Sequence, residues 1–318
     1  MREQFSFFKA HPELVYLDTA ATSQKPQALL DAIQNYYVND NANVHRGLYK
    51  LAYDTTEAYE NVRQQVAGFL GAASADEIIF TRGTTDSLNL VASAYGPQVV
   101  TAGSQIVVTG AEHHSNFIPW QQLAKRQQAT FTVTPVKPDG TVDIAALLAA
   151  ITPQTKVVAV AQVTNVAGDT LPIAKIAAKA HAVGAVVVVD GAQAVTHLAA
   201  DVQAMGADFY AFSGHKIYGP TGIGVLYGRA DLLQHMPPIQ FGGEMISEVR
   251  DDVSTWADGP IKYEAGTPHI AGVIGLGAAL TWFDPSVNAA AFDNEHQLAD
   301  QLRAGLAAIP GVTVYGNQ

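Results

Sequence analysis

The 318 residues of this sequence contain no cysteine. This absence excludes disulfide bonds, cysteine-ligated metal sites and a cysteine nucleophile within these residues. Charged residues are also sparse: they make up 15% of the chain, and the formal net charge is −11 at pH 7. The acidic excess argues against nucleic acid or an anionic membrane as the main partner.

Long apolar runs and two common phosphate-binding motifs are missing as well. No apolar run approaches the length of a transmembrane helix, and residues 1–10 lack the apolar core of a signal peptide. We therefore predict a cytoplasmic location and no membrane partner. No G-x-G-x-x-G sequence follows the first strand-like segment, and no G-x-x-x-x-G-K-S/T sequence occurs. These absences argue against a dinucleotide site and a P-loop.

Hydrophobic residues, by contrast, make up 48% of the chain, which is long enough for a large core and more than one domain. From residue 77 onward, strand-like and helix-like segments alternate, which is typical of an α/β domain with a mostly parallel sheet and helices on both faces. The predicted strands are 77–80, 105–109, 130–136, 156–163, 185–190, 209–212 and 225–227. The predicted helices are one from Thr55 or Thr56 to Leu70, then 84–95, 116–128, 144–150 and 173–183.

The two ends of the chain differ from this pattern. Residues 15–18 are predicted to form a short strand, and 312–315 another, after a helix over about 289–308. Because a lone apolar strand needs neighbours, we expect 1–13 and 285–318 to form part of a small α+β domain whose remainder is absent, with 14–284 as the large domain. The alternative is that strand 312–315 pairs with the N-terminal segment or docks on the large sheet.

Lys216 is unusually placed, directly after the buried strand 209–212 and within the corner Ser213-Gly-His-Lys216. Lysine is rarely buried without a partner. Desolvation lowers its pKa and frees the amine to act as a nucleophile, including in Schiff-base formation with pyridoxal phosphate (PLP). The alternative is a loop lysine that points to solvent.

Further polar residues follow other predicted strands, at the sheet edge where α/β proteins bind ligands. Gly83 precedes Thr84 and Thr85 at a helix start, which suits a phosphate; ordinary helix capping is the alternative. In Glu112-His-His-Ser-Asn116, no third ligand stands at metal-binding spacing. We therefore interpret one imidazole, that of His113, as stacking on a flat aromatic cofactor, against the alternative of a loop histidine with ordinary hydrogen bonds.

Asp190 ends a strand that contains four consecutive valines. A buried carboxylate there is unfavourable unless it meets a cation or strong donors. A pyridinium N–H is such a donor, and an ionised Asp190 keeps the ring able to act as an electron sink. Gln193 lies within reach of a ring oxygen. A helix N-cap or a buried salt bridge is the alternative for Asp190, but together these residues predict a PLP site and no metal.

The chain resembles the class V aminotransferase group of fold-type I PLP enzymes, and within it most of all the SUF-type cysteine desulfurases and related selenocysteine lyases. The resemblance runs from about residue 14 to the end. It is carried by these stretches: Tyr16-Leu-Asp-Thr-Ala-Ala-Thr22, Asn43-Val-His-Arg-Gly47, Phe80-Thr-Arg-Gly-Thr-Thr85, Glu112-His-His-Ser-Asn116, Val189-Asp-Gly-Ala-Gln-Ala-Val195, Ser213-Gly-His-Lys-Ile-Tyr-Gly-Pro-Thr-Gly-Ile-Gly224, Phe241-Gly-Gly-Glu-Met-Ile246 and Tyr263-Glu-Ala-Gly-Thr-Pro268.

The resemblance implies a role for each site residue. Lys216 would form the Schiff base with PLP. His113 would stack on the pyridine ring and assist proton transfer. Asp190 would pair with the ring nitrogen and Gln193 with the phenolic oxygen. Asn165 would lie close to the cofactor and the substrate amino group.

The phosphate group and the dimer are also implied by the resemblance. The phosphate would be held by Thr84, Thr85, Ser213 and His215. Thr267 would reach the phosphate of a partner subunit, which implies a homodimer with shared active sites. His45 and Arg46 would lie near that shared site.

The family reaction converts L-cysteine, or selenocysteine in the lyases, to L-alanine. The sulfur passes through an enzyme persulfide to a partner protein of iron–sulfur cluster assembly. The family's catalytic cysteine and its carboxylate-binding arginine lie in the C-terminal small domain. Since this sequence has no cysteine, we expect a truncated member that cannot form an enzyme persulfide. The alternatives are another class V activity (selenocysteine lyase, transaminase, epimerase or β-lyase) or a PLP-binding remnant without desulfurase activity.

Overall fold

A seven-stranded sheet forms the centre of the protein. The computed structural model describes residues 2–316, and all their side chains except those of 285–293. The strands are β1 (Ile78–Thr81), β2 (Gln105–Thr109), β3 (Thr130–Thr134), β4 (Thr155–Ala161), β5 (Val186–Asp190), β6 (Phe209–Ser213) and β7 (Gly224–Gly228). Their order is β1-β7-β6-β5-β4-β2-β3. Only the pairs β1–β7 and β6–β7 are antiparallel, so the mostly parallel sheet predicted from the sequence is confirmed.

Helices cover both faces of this sheet, as predicted. The α-helices within the described residues are α1 (Ser6–Ala10), α2 (Gln27–Asn35), α3 (Lys50–Leu70), α4 (Thr84–Ala94), α5 (Gly96–Val99), α6 (Ile118–Gln127), α7 (Ile144–Ala150), α8 (Ile173–His181), α9 (Val202–Met205), α10 (Ala230–His235), α11 (Ile270–Phe283) and α12 (Pro285–Ala307). A small hairpin of β8 (Ile246–Val249) and β9 (Ser254–Trp256) stands outside the sheet. No helix within residues 2–316 is both long and apolar enough to cross a membrane.

The valine run of β5 is explained by burial on both faces. Val187 and Val189 lie in one apolar cluster with residues of α3, α8 and α11. Val188 lies in the other, with residues of α4 and α6. A strand covered on both sides needs no polar alternation, and the resulting rigid strand places Asp190 at its carboxyl end.

Helix α11 packs beside the segment that carries Lys216. An added Cβ on Gly275 would lie 2.8 Å from Pro220 Cγ and 2.9 Å from Ile33 Cδ1. Only glycine permits this close approach, so α11 contacts both α2 and the loop after Lys216. The helix is apolar on all sides and buried, and it lacks the amphipathic period by which helices are recognised in sequences.

The two terminal strands expected from the sequence are wrong. Residues 15–18 and 312–315 have no regular structure. Val15 and Leu17 are 75% and 87% exposed, and near the other end Gly316 N donates to Asp139 O (2.8 Å) without a ladder. Apolar composition alone does not make a strand, because a strand also needs a hydrogen-bonded neighbour. The division into a large domain over 14–284 and a small one remains a proposal, and residues 1, 317 and 318 of the latter lie outside the described residues.

Helix α3 begins five residues earlier than the earlier of its two predicted starts. The hydroxyls of Thr55 and Thr56 donate to Leu51 O (2.8 Å) and Ala52 O (2.7 Å). Both threonines therefore lie inside the helix, bonded to the preceding turn, and do not cap it.

Candidate active site

A cavity of about 490 Å³ opens at the carboxyl ends of β4, β5 and β6. We call it the active-site cavity. Nine of the ten residues predicted for the site line it: Thr84, Thr85, His113, Asn165, Asp190, Gln193, Ser213, His215 and Lys216. Its size is typical of cofactor and substrate sites. The sequence positions are far apart, and the ends of parallel strands bring them together.

Lys216 lies on a single 3₁₀ turn, Gly214–Lys216, which follows β6 directly. The turn is tied to the start of β7 by the bond from Gly214 N to Ile223 O (2.9 Å). Burial lowers the pKa of the Lys216 amine, and the negative charge of Asp190 partly opposes this shift. A lowered pKa increases the unprotonated fraction, which is the nucleophilic form of the amine.

Asp190 is 5% exposed and faces the same cavity. It pairs with Ala211 across β5 and β6, so the ends of these two strands lie side by side. Ala192 N donates to Asp190 Oδ1 (2.9 Å). Burial raises the pKa of this carboxyl, while the Ala192 N–H and the charges of Lys216 and His113 oppose the rise. A ring N–H donor in the cavity would stabilise the ionised form.

The start of α4 forms an anion-binding corner. Gly83 is the N-cap residue and provides no side-chain cap. Thr84 N and Thr84 Oγ1 each lie 2.8 Å from Ser213 Oγ. An added Cβ on Gly224 would lie 2.4 Å from Gly83 Cα, so β7 and the corner approach as only glycine allows. Hydroxyls at a helix N-terminus suit a phosphate group.

His113 is oriented by its neighbours. Ser115 N donates to His113 Nδ1 (3.1 Å), and Ser115 Oγ lies 2.7 Å from Thr85 Oγ1. Because Nδ1 accepts this bond, the neutral ring carries its hydrogen on Nε2. Burial lowers the pKa of His113, with the positive charges of Lys216 and His114 acting in the same direction and Asp190 against it. The neutral ring is therefore favoured.

The N-terminal segment forms one wall of the cavity, which the sequence did not predict. Asp18, Ala20 and Ala21 line it. Gln193 Nε2 donates to Ala20 O (3.0 Å) and so ties its amide to this wall. The sequence predicts only a short strand over 15–18, and the family resemblance of residues 16–22 is the one signal that points to a role for this segment. Ser115 was missed as well, although it lies in the quoted histidine stretch.

Glu112 is a further residue that sequence reasoning missed. It directly precedes His113 in the sequence, is buried, and accepts hydrogen bonds from Thr109 Oγ1 (2.6 Å) and Asn116 Nδ2 (2.7 Å). Trp120 Nε1 donates in turn to Asn116 Oδ1 (3.0 Å). Burial raises the pKa of Glu112 to about 7. The network fixes the loop that presents His113.

Three residues implied by the resemblance lie outside the active-site cavity. Thr267 lines a separate cavity of about 300 Å³ together with Arg82 and His269. His45 Nε2 lies 2.9 Å from Glu60 Oε1, and Arg46 Nε lies 3.0 Å from Glu244 Oε2. Their contribution to a partner's site remains a prediction.

The residues in the cavity fit PLP in chemical type. They supply an amine of lowered pKa, a buried carboxylate, a neutral imidazole and hydroxyls at a helix N-terminus. Among the described residues, no group of three His, Asp or Glu side chains is placed to hold a metal ion. This combination of residue types suits a PLP site at the strand ends of an α/β sheet.

Comparison with known proteins places the chain in a family. The model of the aminotransferase class V family matches residues 15–318, so the chain belongs to that family. A probable cysteine desulfurase of Halalkalibacterium halodurans is 50% identical over 305 residues, which cover 96% of this chain and 75% of the relative. The resemblance found in the sequence is thereby confirmed.

Two solved structures agree with this assignment. The apo structure of a cysteine desulfurase from Thermococcus onnurineus NA1 is 37% identical, with a TM-score of 0.91, and the match covers 96% of this chain and 75% of that one. A lysine-to-alanine mutant of C-DES, with glycine covalently linked to its PLP cofactor, is 26% identical with a TM-score of 0.83, over 98% and 81% of the two chains. The fold is that of the fold-type I PLP enzymes, and the cofactor is PLP.

Proposed function

We propose that this chain is a PLP-dependent cysteine desulfurase that converts L-cysteine to L-alanine and passes the sulfur to an acceptor. The observation that carries the proposal is the meeting of Lys216, Asp190 and His113 in one cavity. The 50% identity to a probable cysteine desulfurase supports the choice of substrate.

The residues have separate tasks in this proposal. PLP supplies an electron sink for the substrate carbon when it is bound. Lys216 Nζ would hold the cofactor and would carry a proton to or from the substrate. Asp190 holds the proton of the ring nitrogen. The phosphate is held by the Thr84, Thr85, Ser213 and His215 side chains.

His113 and Gln193 orient the ring in this proposal. The bond from Ser115 N fixes the plane of the His113 imidazole, and its Nε2–H is left to donate. The bond from Gln193 Nε2 to Ala20 O holds the amide at the cavity wall, and an amide N–H suits the phenolic oxygen. Asn165, which lines the cavity, would lie beside the substrate amino group.

The sulfur needs a thiol acceptor. One L-cysteine and one thiol give one L-alanine and one persulfide: the C–S bond breaks, an S–S bond forms, and the thiol proton ends on the alanine carbon. The 318 residues contain no cysteine, so the thiol comes from outside them. We propose that it ultimately belongs to a sulfur-acceptor protein of iron–sulfur cluster assembly.

A homodimer and a cytoplasmic location complete the proposal. Tyr37 and Tyr49 are 57% and 56% exposed. They line a surface cavity together with Thr267, the residue assigned to the partner's phosphate. An exposed aromatic surface next to that residue supports a subunit contact. Sedimentation of the purified chain and cell fractionation test these two points.

The cofactor site is tested first by mixing the purified chain with PLP. We expect a visible absorbance band that sodium borohydride fixes as a mass increase on the Lys216 peptide. Lys216→Ala should remove both signals, while Lys262→Ala, at another half-buried lysine, should keep them. A folded wild-type chain that yields no band would favour a remnant without cofactor.

The reaction is tested with L-cysteine and excess dithiothreitol as thiol acceptor. We expect alanine and sulfide in equal amounts, both dependent on PLP and Lys216. Selenocysteine, alanine with a keto acid, and other amino acids are compared under the same conditions. Turnover of one of these but not of cysteine would replace the proposal by a selenocysteine lyase, transaminase or epimerase.

A further inference from the structure

The Ser23 hydroxyl spans the turn that carries Lys216. Ser23 is 1% exposed. Its Oγ donates to His215 O (2.9 Å) and accepts from Tyr218 N (2.7 Å). These two backbone groups lie on opposite sides of Lys216 in the sequence. One buried hydroxyl thus connects both ends of the short segment from which the lysine side chain projects.

Further donors from the same segment converge on the His215 carbonyl. Ser23 N lies 2.9 Å from it, Lys25 Nζ 3.2 Å and Thr22 Oγ1 3.3 Å. Lys25 Nζ also donates to Ser23 O (2.5 Å). Burial lowers the pKa of Lys25 to about 8, a sign that its ammonium group is withdrawn from water to make these contacts. Several donors on one carbonyl restrict its orientation far more than a single bond does.

The turn needs such restraint because Tyr218 has a left-handed backbone, with φ of 59°. Residues other than glycine, asparagine and aspartate rarely adopt this conformation. The Tyr218 ring packs against Phe5, Trp282 and Phe283, at centroid distances of 6.1, 4.9 and 5.7 Å. The ring contacts hold the side chain, and the Ser23 bond holds the amide.

We infer that Ser23, assisted by Lys25, is a positioning residue that holds the Lys216 amine at its place in the active-site cavity, an inference that rests on the proposed function. We call residues 22–25 the lysine clamp. Neither side chain lines the cavity, so the clamp acts through the backbone of the turn. Its neighbours Ala20 and Ala21 do line the cavity, and the clamp therefore couples the N-terminal wall to the lysine.

The experiment compares Ser23→Ala with Ser104→Ala. Ser104 is a similarly buried serine whose Oγ accepts from Thr101 N (3.1 Å), before the amino end of β2. In the cofactor-free chain, acetic anhydride labels lysines at a rate that follows their unprotonated fraction, and mass spectrometry of the Lys216 peptide gives its apparent pKa. PLP affinity is measured separately by absorbance titration.

The clamp predicts two changes in Ser23→Ala. The labelling pKa of Lys216 should rise by at least about half a unit, because a loosened turn lets the amine reach water. PLP binding should weaken by roughly tenfold. This is the usual effect of losing one hydrogen bond when the buried group that made it is left unpaired. Asp190, His113, His215 and Lys25, the charged or titratable groups around the amine, remain in place. The control variant should show neither change.

The inference is overturned if Ser23→Ala and Ser104→Ala have the same labelling profile and PLP affinity. Lys25→Met is measured in parallel as a milder variant, because it keeps both hydrogen bonds of the Ser23 hydroxyl. It provides the test if Ser23→Ala does not fold. In Lys25→Met, a rise of the Lys216 labelling pKa that is smaller than the rise predicted for Ser23→Ala supports the clamp. An unchanged labelling profile contradicts it. Failure of the wild type to bind PLP would count against the proposed function alone, since the labelling assay needs no cofactor.

Discussion

Arg63 and Glu264 form a two-bond ion pair inside the core. Arg63 Nη1 lies 2.7 Å from Glu264 Oε1, and Arg63 Nη2 lies 2.9 Å from Glu264 Oε2. The side chains are 1% and 4% exposed. Glu264 also accepts from Phe80 N (2.7 Å) and Tyr59 OH (2.9 Å). The pair thereby joins α3, β1 and the loop before Thr267.

Removal of one partner should destabilise the protein strongly. Arg63→Met leaves the Glu264 carboxylate buried without its cation, which costs about 3–5 kcal/mol in comparable pairs. We expect a loss of that size in the free energy of unfolding by urea. Lys50→Met, which breaks the exposed Lys50–Asp54 pair, should leave the free energy of unfolding nearly unchanged, because an exposed ion pair contributes little to stability. Equal effects of the two variants would contradict this account.

Asp190→Asn should separate cofactor binding from stability. Asparagine keeps the size of the side chain and an acceptor for Ala192 N, but it cannot hold a negative charge. We expect PLP binding to weaken roughly ten- to a hundredfold, since hydrogen bonds to charged groups are worth about 1.5–3 kcal/mol. The thermal midpoint of the cofactor-free chain should not fall, because a buried charge is removed. Asp31→Asn, on the exposed side of α2, serves as the control. An unchanged PLP affinity in Asp190→Asn would refute the assignment of Asp190 to the ring nitrogen.

The raised pKa of Glu112 predicts a pH dependence of stability. Its pKa is shifted from 4.5 to about 7 in the folded protein, so the folded state binds a proton between these values that the unfolded state has released. The free energy of unfolding therefore falls as pH rises from about 4.5 to 7, by up to roughly 3 kcal/mol. Glu112→Gln should flatten this dependence, because its amide accepts from Asn116 and donates to Thr109. Urea unfolding at several pH values measures the slope, with exposed Glu248→Gln as control; parallel slopes in all three proteins would exclude the effect.

Gly224→Ala should damage the anion-binding corner selectively. The new methyl group would lie 2.4 Å from Gly83 Cα, so β7 and the start of α4 must separate. We expect weaker binding of PLP, and of inorganic phosphate in competition with it, together with a lower thermal midpoint. Gly243→Ala, where nothing lies within 4 Å of the added Cβ, should leave all three unchanged. Wild-type phosphate affinity in Gly224→Ala would show that the corner does not hold the anion.

The sheet was predictable because its strands are marked both by their apolar composition and by the segments that bound them. Segments such as β2 and β5 are apolar without alternation, and glycine or helix-like segments bound them, so their existence and limits follow from the sequence. The hairpin of β8 and β9 was not predicted, since its first strand is largely exposed and has no apolar face. The strands predicted at 15–18 and 312–315 do not form, because a strand needs a hydrogen-bonded neighbour and a local apolar pattern cannot show whether the fold brings one alongside.

The site residues that could be predicted from the sequence are those whose charge is energetically unfavourable to bury. Lys216 and Asp190 attract notice because a charge at the end of an apolar strand needs a partner. Ser23 gives no such signal: a serine in a loop is ordinary, and its importance depends on backbone groups of His215 and Tyr218 that lie 192 and 195 residues away. The structural role of a neutral side chain that hydrogen-bonds to a distant backbone group can be recognised only in the folded structure.

The bond between Thr84 and Ser213 joins residues 129 positions apart. Such a contact forms only after most of the chain between them has closed into place, and closure of long loops is what makes folding of parallel sheets slow. The appearance of PLP absorbance during refolding from urea would therefore time the last stage of folding. The absorbance of the bound cofactor would thus report directly on when its own site is assembled.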